Sequence, residues 1–509
     1  MVSIPCHAVV SRSPRPSGPV AWTAGVAVIS VLYMSFVVPL GFGPDEAQHA
    51  FRAYQLSLGK LFPEVVRCAS HRHLLPCRGK LTGRLLPKRR AGGKLPFALV
   101  HVLNRLYAVS HHKGIPKQFN PNAYTRLLGA TLGGAPRTFA HFENTALYSP
   151  INYVPAMIVF WIGRHIAEPV IASLFAARLL GGMVWATLIT AAVAIAPRWK
   201  WLFALVLLVP TALSQGAAIS ADATTLGVVA VTIAYALGLA DRGEAPRNGE
   251  LALLGGLGVV IGLMKFPLIL VVVAVTAIVW PILGTGAGRR RAVTAITLPG
   301  VLAAVLWNAA SNAYFVPYRN VVYSASLRVY VSEPGQEHYL LTHFYLLPAL
   351  LWQTAINGNL FKLNGVVGTV GEMGLPEWFA IIWLALFLIL AAGSSEGSAV
   401  AGRMRAWLGS TLLVYFLATA VALYITWSAV GSDEISGMHG RYFTLVLILA
   451  VPVFAGIGGA RLRLSPKAVA AAVMVITAVA AGSMFAYTAV HYYGQPPWQA
   501  VSRVTSVLF

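Results

Sequence analysis

Residues 251–284 read LALLGGLGVVIGLMKFPLILVVVAVTAIVWPILG, 34 residues interrupted only by Lys265-Phe266-Pro267. About 20 apolar residues cross a bilayer core, so the stretch is either one over-long span or two short ones meeting at Lys265. Charge chooses between them. Arg242 and Arg247 precede the stretch and Arg289-Arg290-Arg291 follow it. Basic loops stay on the cytoplasmic side, and a chain that returns to its starting side has crossed twice. The expectation is a hairpin with Lys265 and Pro267 at its outer turn.

Outward from this hairpin, apolar runs fall at about 20–42, 171–196, 201–219, 222–240, 251–264, 267–284, 292–312, 377–392, 407–428, 441–459 and 468–489, eleven in all. With this assignment the short basic loops at Arg198/Lys200, Arg242/Arg247, Arg289–Arg291, Arg403/Arg405 and Arg461/Arg463/Lys467 all face inward. Counting 149–166 or 340–357 as a further span would invert every later loop, so both are expected as amphipathic helices on the outer surface. The run from Val20 to Leu40 follows Arg12 and Arg15, is longer than a signal-peptide core and has no small-residue cleavage site. It is expected to remain as the first span, with the N-terminus cytoplasmic. The expected fold is therefore all-α: one polytopic membrane domain over 1–509 with about eleven transmembrane helices. A long first outer loop covers 43–170, and a second outer segment covers 313–376.

Composition agrees. The chain is 57% hydrophobic and 11% charged, against about 25% charged in an ordinary soluble domain, which excludes a soluble globular enzyme. Its net charge is +22. In a soluble protein such an excess would suggest nucleic acid; here the positive-inside bias and anionic lipid headgroups account for it, and no nucleic-acid partner is expected. Residues 43–148 hold 16 Lys and Arg against Asp45, Glu46, Glu64 and Glu143, a net +12. Topology does not require that concentration, which suggests an electropositive lining for an anionic ligand.

Chemistry is expected where the first span meets Gly43-Pro44-Asp45-Glu46-Ala47-Gln48-His49-Ala50-Phe51-Arg52. A proline and acids at a helix start are also ordinary capping signals. Yet two adjacent carboxylates, Asp45 and Glu46, with His49 and Arg52 following at helical spacing (four after Asp45, three after His49), put acid, imidazole and cation in one small area. A carboxylate that takes an acceptor proton, with cations near a departing phosphate, is what glycosyl transfer at a membrane surface needs. Asp222 reads equally as a helix-cap acid. Lys265 reads as an interfacial anchor or a phosphate contact. His439-Gly440-Arg441-Tyr442 reads as an interfacial belt, or as an arginine clamp for phosphate. Cys68 and Cys77 bracket CASHRHLLPC: a disulfide is the first expectation, and a zinc site with His71 and His73 the alternative. No Walker motif, dinucleotide fingerprint or Ser-His-Asp signature is present, and Glu372 in the Gly-rich 361–378 stretch is a remote acidic candidate.

The stretch PDEAQHAFRAYQLSLGK (44–60), with LYSPINYVP (147–155), ARLL (177–180), ISADA (219–223) and GMHGRYF (437–443), resembles the bacterial membrane proteins of the domain-of-unknown-function 2142 family over nearly the whole chain. That family is similar to the GT-C superfamily of integral-membrane glycosyltransferases. The resemblance implies a polyprenyl-phosphate sugar donor, a glycan or lipid acceptor and chemistry on the periplasmic face of the inner membrane. It maps the catalytic acid to Asp45, with Glu46 second, an outer-junction acid to Asp222 and phosphate binding to Arg441; His49, Arg52, Lys265 and His439 join them as substrate and phosphate candidates from their own positions in the sequence. It leaves a divalent metal open. The family's flanking prolines are replaced here by Gly43 and Ala47, which loosens the motif but keeps both carboxylates. Two other functions compete: a lipid-carrier or polysaccharide transporter, which calls for mid-membrane charges and internal repeats, and a non-catalytic assembly partner.

Overall fold

A computed structural model describes residues 18–68, 89–112, 115–116, 118–133, 136–317, 331–356, 363–371, 373–395, 401–459 and 462–508. The protein is mostly helical. Six helices are long and apolar enough to cross a membrane: Gly18–Val37, Val170–Ile195, Ala221–Arg242, Gly286–Asn312, Gly402–Trp427 and Pro466–Tyr493. They coincide with six of the eleven expected runs. Three more runs form shorter apolar helices, Asn248–Met264, Phe266–Ile282 and Glu377–Gly393, each about 26 Å long at 1.5 Å per residue.

The remaining two runs are not continuous helices. The 201–219 run divides into Lys200–Leu207 and Pro210–Gly216, because Pro210 has no N–H to continue the ladder and Val209 before it is extended. Leu202 to Leu213 are buried almost throughout, so the break lies within protein, where freed backbone groups find partners. The 441–459 run breaks into Arg441–Thr444, Leu447–Leu449 and Ala450–Phe454.

In the 251–284 stretch the helix stops at Lys265, whose backbone is extended at φ −150°, and restarts at Phe266. The first half packs on Gly286–Asn312 through glycines. A Cβ at Gly262 would lie 2.3 Å from Gly300 O, and one at Gly255 would lie 2.5 Å from Ala295 O, whereas one at Gly256 would meet nothing within 4 Å. Backbone contact of this kind holds membrane helices together without a hydrophobic force between them. Gly262→Ala should therefore lower the thermal midpoint in detergent, since overpacking costs about 1–3 kcal/mol. Gly256→Ala should leave it unchanged or raise it, since alanine favours helix by up to ~1 kcal/mol. Equal midpoints for the two variants would contradict the packing.

The 149–166 segment forms a 3₁₀ turn, Pro150–Tyr153, and a helix, Val154–His165; in the other segment, Leu347–Ile356 is helical. Neither helix is long enough to cross a bilayer. The all-helical expectation misses one feature. Strands Glu64–Arg67, Arg89–Pro96 and Arg137–His141 form an antiparallel sheet with Arg89–Pro96 at its centre, Gly92 facing His141. The sheet carries the chain from the helix Glu46–Ser57 to residues 141–148, which wall the site.

Candidate functional site

The site begins at Asp45. Its backbone is left-handed, φ 56°, a conformation aspartate tolerates better than most residues. Its carboxylate does not cap the helix that follows. Oδ2 instead accepts from Arg441 Nη2 at 2.5 Å, and Oδ1 from Asn144 Nδ2 at 2.8 Å. Burial pushes this carboxyl up, but the Arg441 guanidinium together with His49 and His439 outweighs that and holds it below its ordinary value. With 36% of its side chain exposed, it is the accessible acid of the pair.

Glu46, one residue on, is 2% exposed and fully engaged. Arg178 forks onto it, Nε to Oε1 at 2.6 Å and Nη2 to Oε2 at 2.5 Å. Gly41 N and Gly43 N donate to Oε2, and Ile219 N to Oε1. The remaining donors of Arg178 close on the carbonyls of Ser35, Val38 and Pro39, which end the first long helix. Glu46 is thus the centre of a buried staple, and its lone pairs are spoken for. Burial raises its carboxyl, yet Arg178 and the backbone donors carry it below the usual glutamate range.

Arg52 also departs from expectation. It is fully buried, and its guanidinium donates to Gln55 Oε1 and the carbonyls of Leu61 and Tyr148, so it ties down the 148 loop and lines neither cavity beside the site. His49 is buried as well: Nδ1 pairs with Tyr153 Oη at 2.6 Å and the ring stacks on Tyr148. Burial takes its pKa down to about 4, so it is neutral at pH 7. His439 is exposed, packed edge-on to Tyr442.

Asp222 is delivered from the opposite direction. Ser220 caps the helix Ala221–Arg242 by accepting from Asp222 N at 3.0 Å, which releases the Asp222 carboxylate to bind Lys265 Nζ through Oδ1. Its Oδ2 lies 4.0 Å from Arg441 Nε, and that nitrogen, although buried, has no hydrogen-bond partner among the described residues. The Lys265 ammonium sits 5.4 Å from the Tyr148 ring centre and 5.3 Å from that of Tyr442, a cation–π setting for a partly buried charge. Asp45, Asp222, Lys265 and Arg441, four residues from four distant stretches, therefore form one charge-balanced cluster. The two cations of this cluster come from outside the basic 43–148 loop; among that loop's described cations, Arg105 lines the neighbouring cavity.

Two cavities meet at this cluster. A groove of about 240 Å³ runs between Gly262–Pro267, Ala304–Ser311 and Tyr415–Trp427, with Asn144, Tyr148, Lys265 and Tyr442 at its head. A larger cavity of about 830 Å³ is walled by Asp45, Gln48, His101, Tyr107 and His141. The Asn144–Asp45 hydrogen bond is where the two adjoin. Sequence reading passed over Asn144 and gave Tyr148 and Tyr442 no role, although both tyrosines lie in the quoted motifs. Arg178 carried a signal of its own, since an arginine inside an apolar run demands a partner. Cys68 is disulfide-bonded; Cys77, His71, His73 and Glu372 lie outside the described residues. Among the described residues no group of three or more His, Cys, Asp or Glu side chains is arranged to hold a metal ion.

The long apolar helices, and the ionic cluster buried at their ends, define a multi-pass helical membrane protein. More particularly, the chain belongs to the family described as Predicted membrane protein (DUF2142), which matches residues 28–451. No curated protein and no solved structure matches it.

Proposed function

We propose that the protein is a GT-C-type glycosyltransferase of the bacterial inner membrane that moves a sugar from a polyprenyl-phosphate donor to a cell-envelope glycan or lipid on the periplasmic face. The observation that carries this reading is the position of Asp45, partly exposed and paired with Arg441, between an apolar groove headed by Lys265 and a separate, larger cavity that Asp45 itself lines. The proposed topology has eleven crossings, the two broken runs and the three short helices included, with the N-terminus cytoplasmic and Asp45 on the periplasmic side.

In this reading the polyprenyl chain lies in the groove among Leu263, Met264, Trp307 and Trp427, and Lys265 and Arg441 hold the phosphate. The phosphate competes with Asp45 for Arg441. Losing the guanidinium raises the Asp45 pKa and makes it a better base at the moment the donor is seated. The acceptor oxygen attacks the anomeric carbon, the bond from that carbon to the phosphate oxygen breaks, and polyprenyl phosphate leaves with the electron pair. The hydroxyl proton passes to Asp45. Attack from the face opposite the phosphate inverts the anomeric centre. Glu46, saturated by Arg178 and backbone, supports the fold of the site.

The test is incubation of the purified protein in lipid nanodiscs with a radiolabelled polyprenyl-phosphate sugar and glycan acceptors. Label moving to an acceptor supports the assignment. Labelled carrier crossing vesicle membranes chemically unchanged favours the transporter and overturns it.

A further inference from the structure

The cavity beside Asp45 contains a second ionisable arrangement that the proposed reaction does not use. His141 ends the sheet's third strand, and its Nδ1 lies 2.9 Å from Oε2 of Glu143. The Glu143 side chain is 0% exposed and also meets Arg90 Nη1 at 3.4 Å; the imidazole is 35% exposed and lines the cavity. A carboxylate can only accept, so Nδ1 carries a proton and the ring is held in one orientation. Nε2 has no partner among the described residues. A purely structural pairing explains Glu143; it does not explain a ring held in one orientation with its other nitrogen left to the cavity.

The opposite wall is one face of the helix Phe97–Ser110. Phe97 and Tyr107 hold aromatic surface open to the cavity, 45% and 49% exposed, and Asn104 lies between them. Gln48 adds a second amide. Among the described residues the open carboxylate and guanidinium on these walls are Asp45 and Arg105, one of each sign, a balance that suits a ligand without net charge. Flat aromatic faces interleaved with amides and an imidazole suit a ligand with apolar C–H faces and many hydroxyls. Asn144, which bonds Asp45, is three residues from His141, a chain distance of at most about 11 Å, so one or two sugar rings would reach both groups.

We infer that this cavity is the acceptor subsite and takes the end of a neutral glycan, a sugar hydroxyl hydrogen-bonding His141 Nε2 while Glu143 fixes the ring. The inference rests on the glycosyltransferase reading for the word acceptor, but its test needs no donor. Binding of maltose, glucuronic acid and hexanol to the full-length protein in nanodiscs is measured by saturation-transfer NMR. Maltose should bind saturably and in preference to the other two. His141→Ala should weaken it at least about tenfold, the loss of one well-placed hydrogen bond, and His141→Gln, which keeps an acceptor, should weaken it less. Ala108→Trp, filling the cavity from the helix face, should abolish binding without touching His141. Maltose binding unchanged in His141→Ala or in Ala108→Trp, preference for glucuronic acid or hexanol, or no sugar binding overturns the subsite. Absence of sugar transfer with His141-dependent maltose binding overturns the enzyme assignment and leaves the subsite standing.

Discussion

Asp45→Asn lowers sugar transfer by about 10²–10⁴-fold, the range in which a positioned general base contributes. The substitution keeps the side chain's size and an oxygen for Asn144, and removes only the proton-accepting charge and the ion pair with Arg441. Asp45 is more than a third exposed and Arg441 keeps Asp222 as a neighbouring anion after the change, so the loss of stability is smaller than for a fully buried pair. Folded yield and donor binding should therefore survive while turnover falls. The measurement is transfer rate at saturating donor beside the thermal midpoint. A variant retaining more than a tenth of wild-type transfer would remove Asp45 from the mechanism.

The second large effect is on folding. Arg178→Ala leaves the Glu46 charge buried and unpaired and frees the carbonyls of Ser35, Val38 and Pro39. Breaking one partner of a buried ion pair costs about 3–5 kcal/mol, a large part of the 5–15 kcal/mol that holds a typical domain folded. Loss of monodisperse protein is expected. Adding Glu46→Gln removes the charge but not the orphaned backbone groups, so it restores only part of the midpoint. Acid should act through the same pair. Glu46 has a folded pKa below its unfolded value of 4.5, so its contribution is full above pH 4.5 and is lost as pH falls through the folded value. Glu46→Gln should flatten that acid limb of the stability curve; an unchanged limb would show that other carboxylates set it.

Much of this arrangement is legible in the sequence. Hydropathy marks the long helices, and Asp45, Asp222, Lys265 and Arg441 were each singled out and do converge. Their convergence was not legible as an ionic cluster, because periodicity relates neighbours three or four residues apart, while Asp45 and Arg441 are 396 apart. The same limit hid the partners of Glu46 and Arg52. Both lie within seven residues of Asp45, and nothing local says that one would pair with Arg178 and the other with the carbonyls of Leu61 and Tyr148. The sheet was missed because its central strand, RRAGGKLP, has neither alternation nor β-branched residues; its glycines are there for close approach, a Cβ at Gly92 falling 2.0 Å from Ala140 O. The broken run at Pro210 was readable in hindsight, since proline inside an apolar run predicts a break.

The separation of Asp45 from Arg441 also sets an order of assembly in time. Chains are made at about 5–20 residues per second, so roughly 20–80 s pass between the synthesis of these two residues. The Glu46–Arg178 staple needs only 132 residues of chain, so both of its partners exist a third of the way through that interval. The buried ion pair thus has its two halves long before the ionic cluster has all four of its members, and a chain that stops short of residue 441 holds Asp45 without the guanidinium that pairs with it.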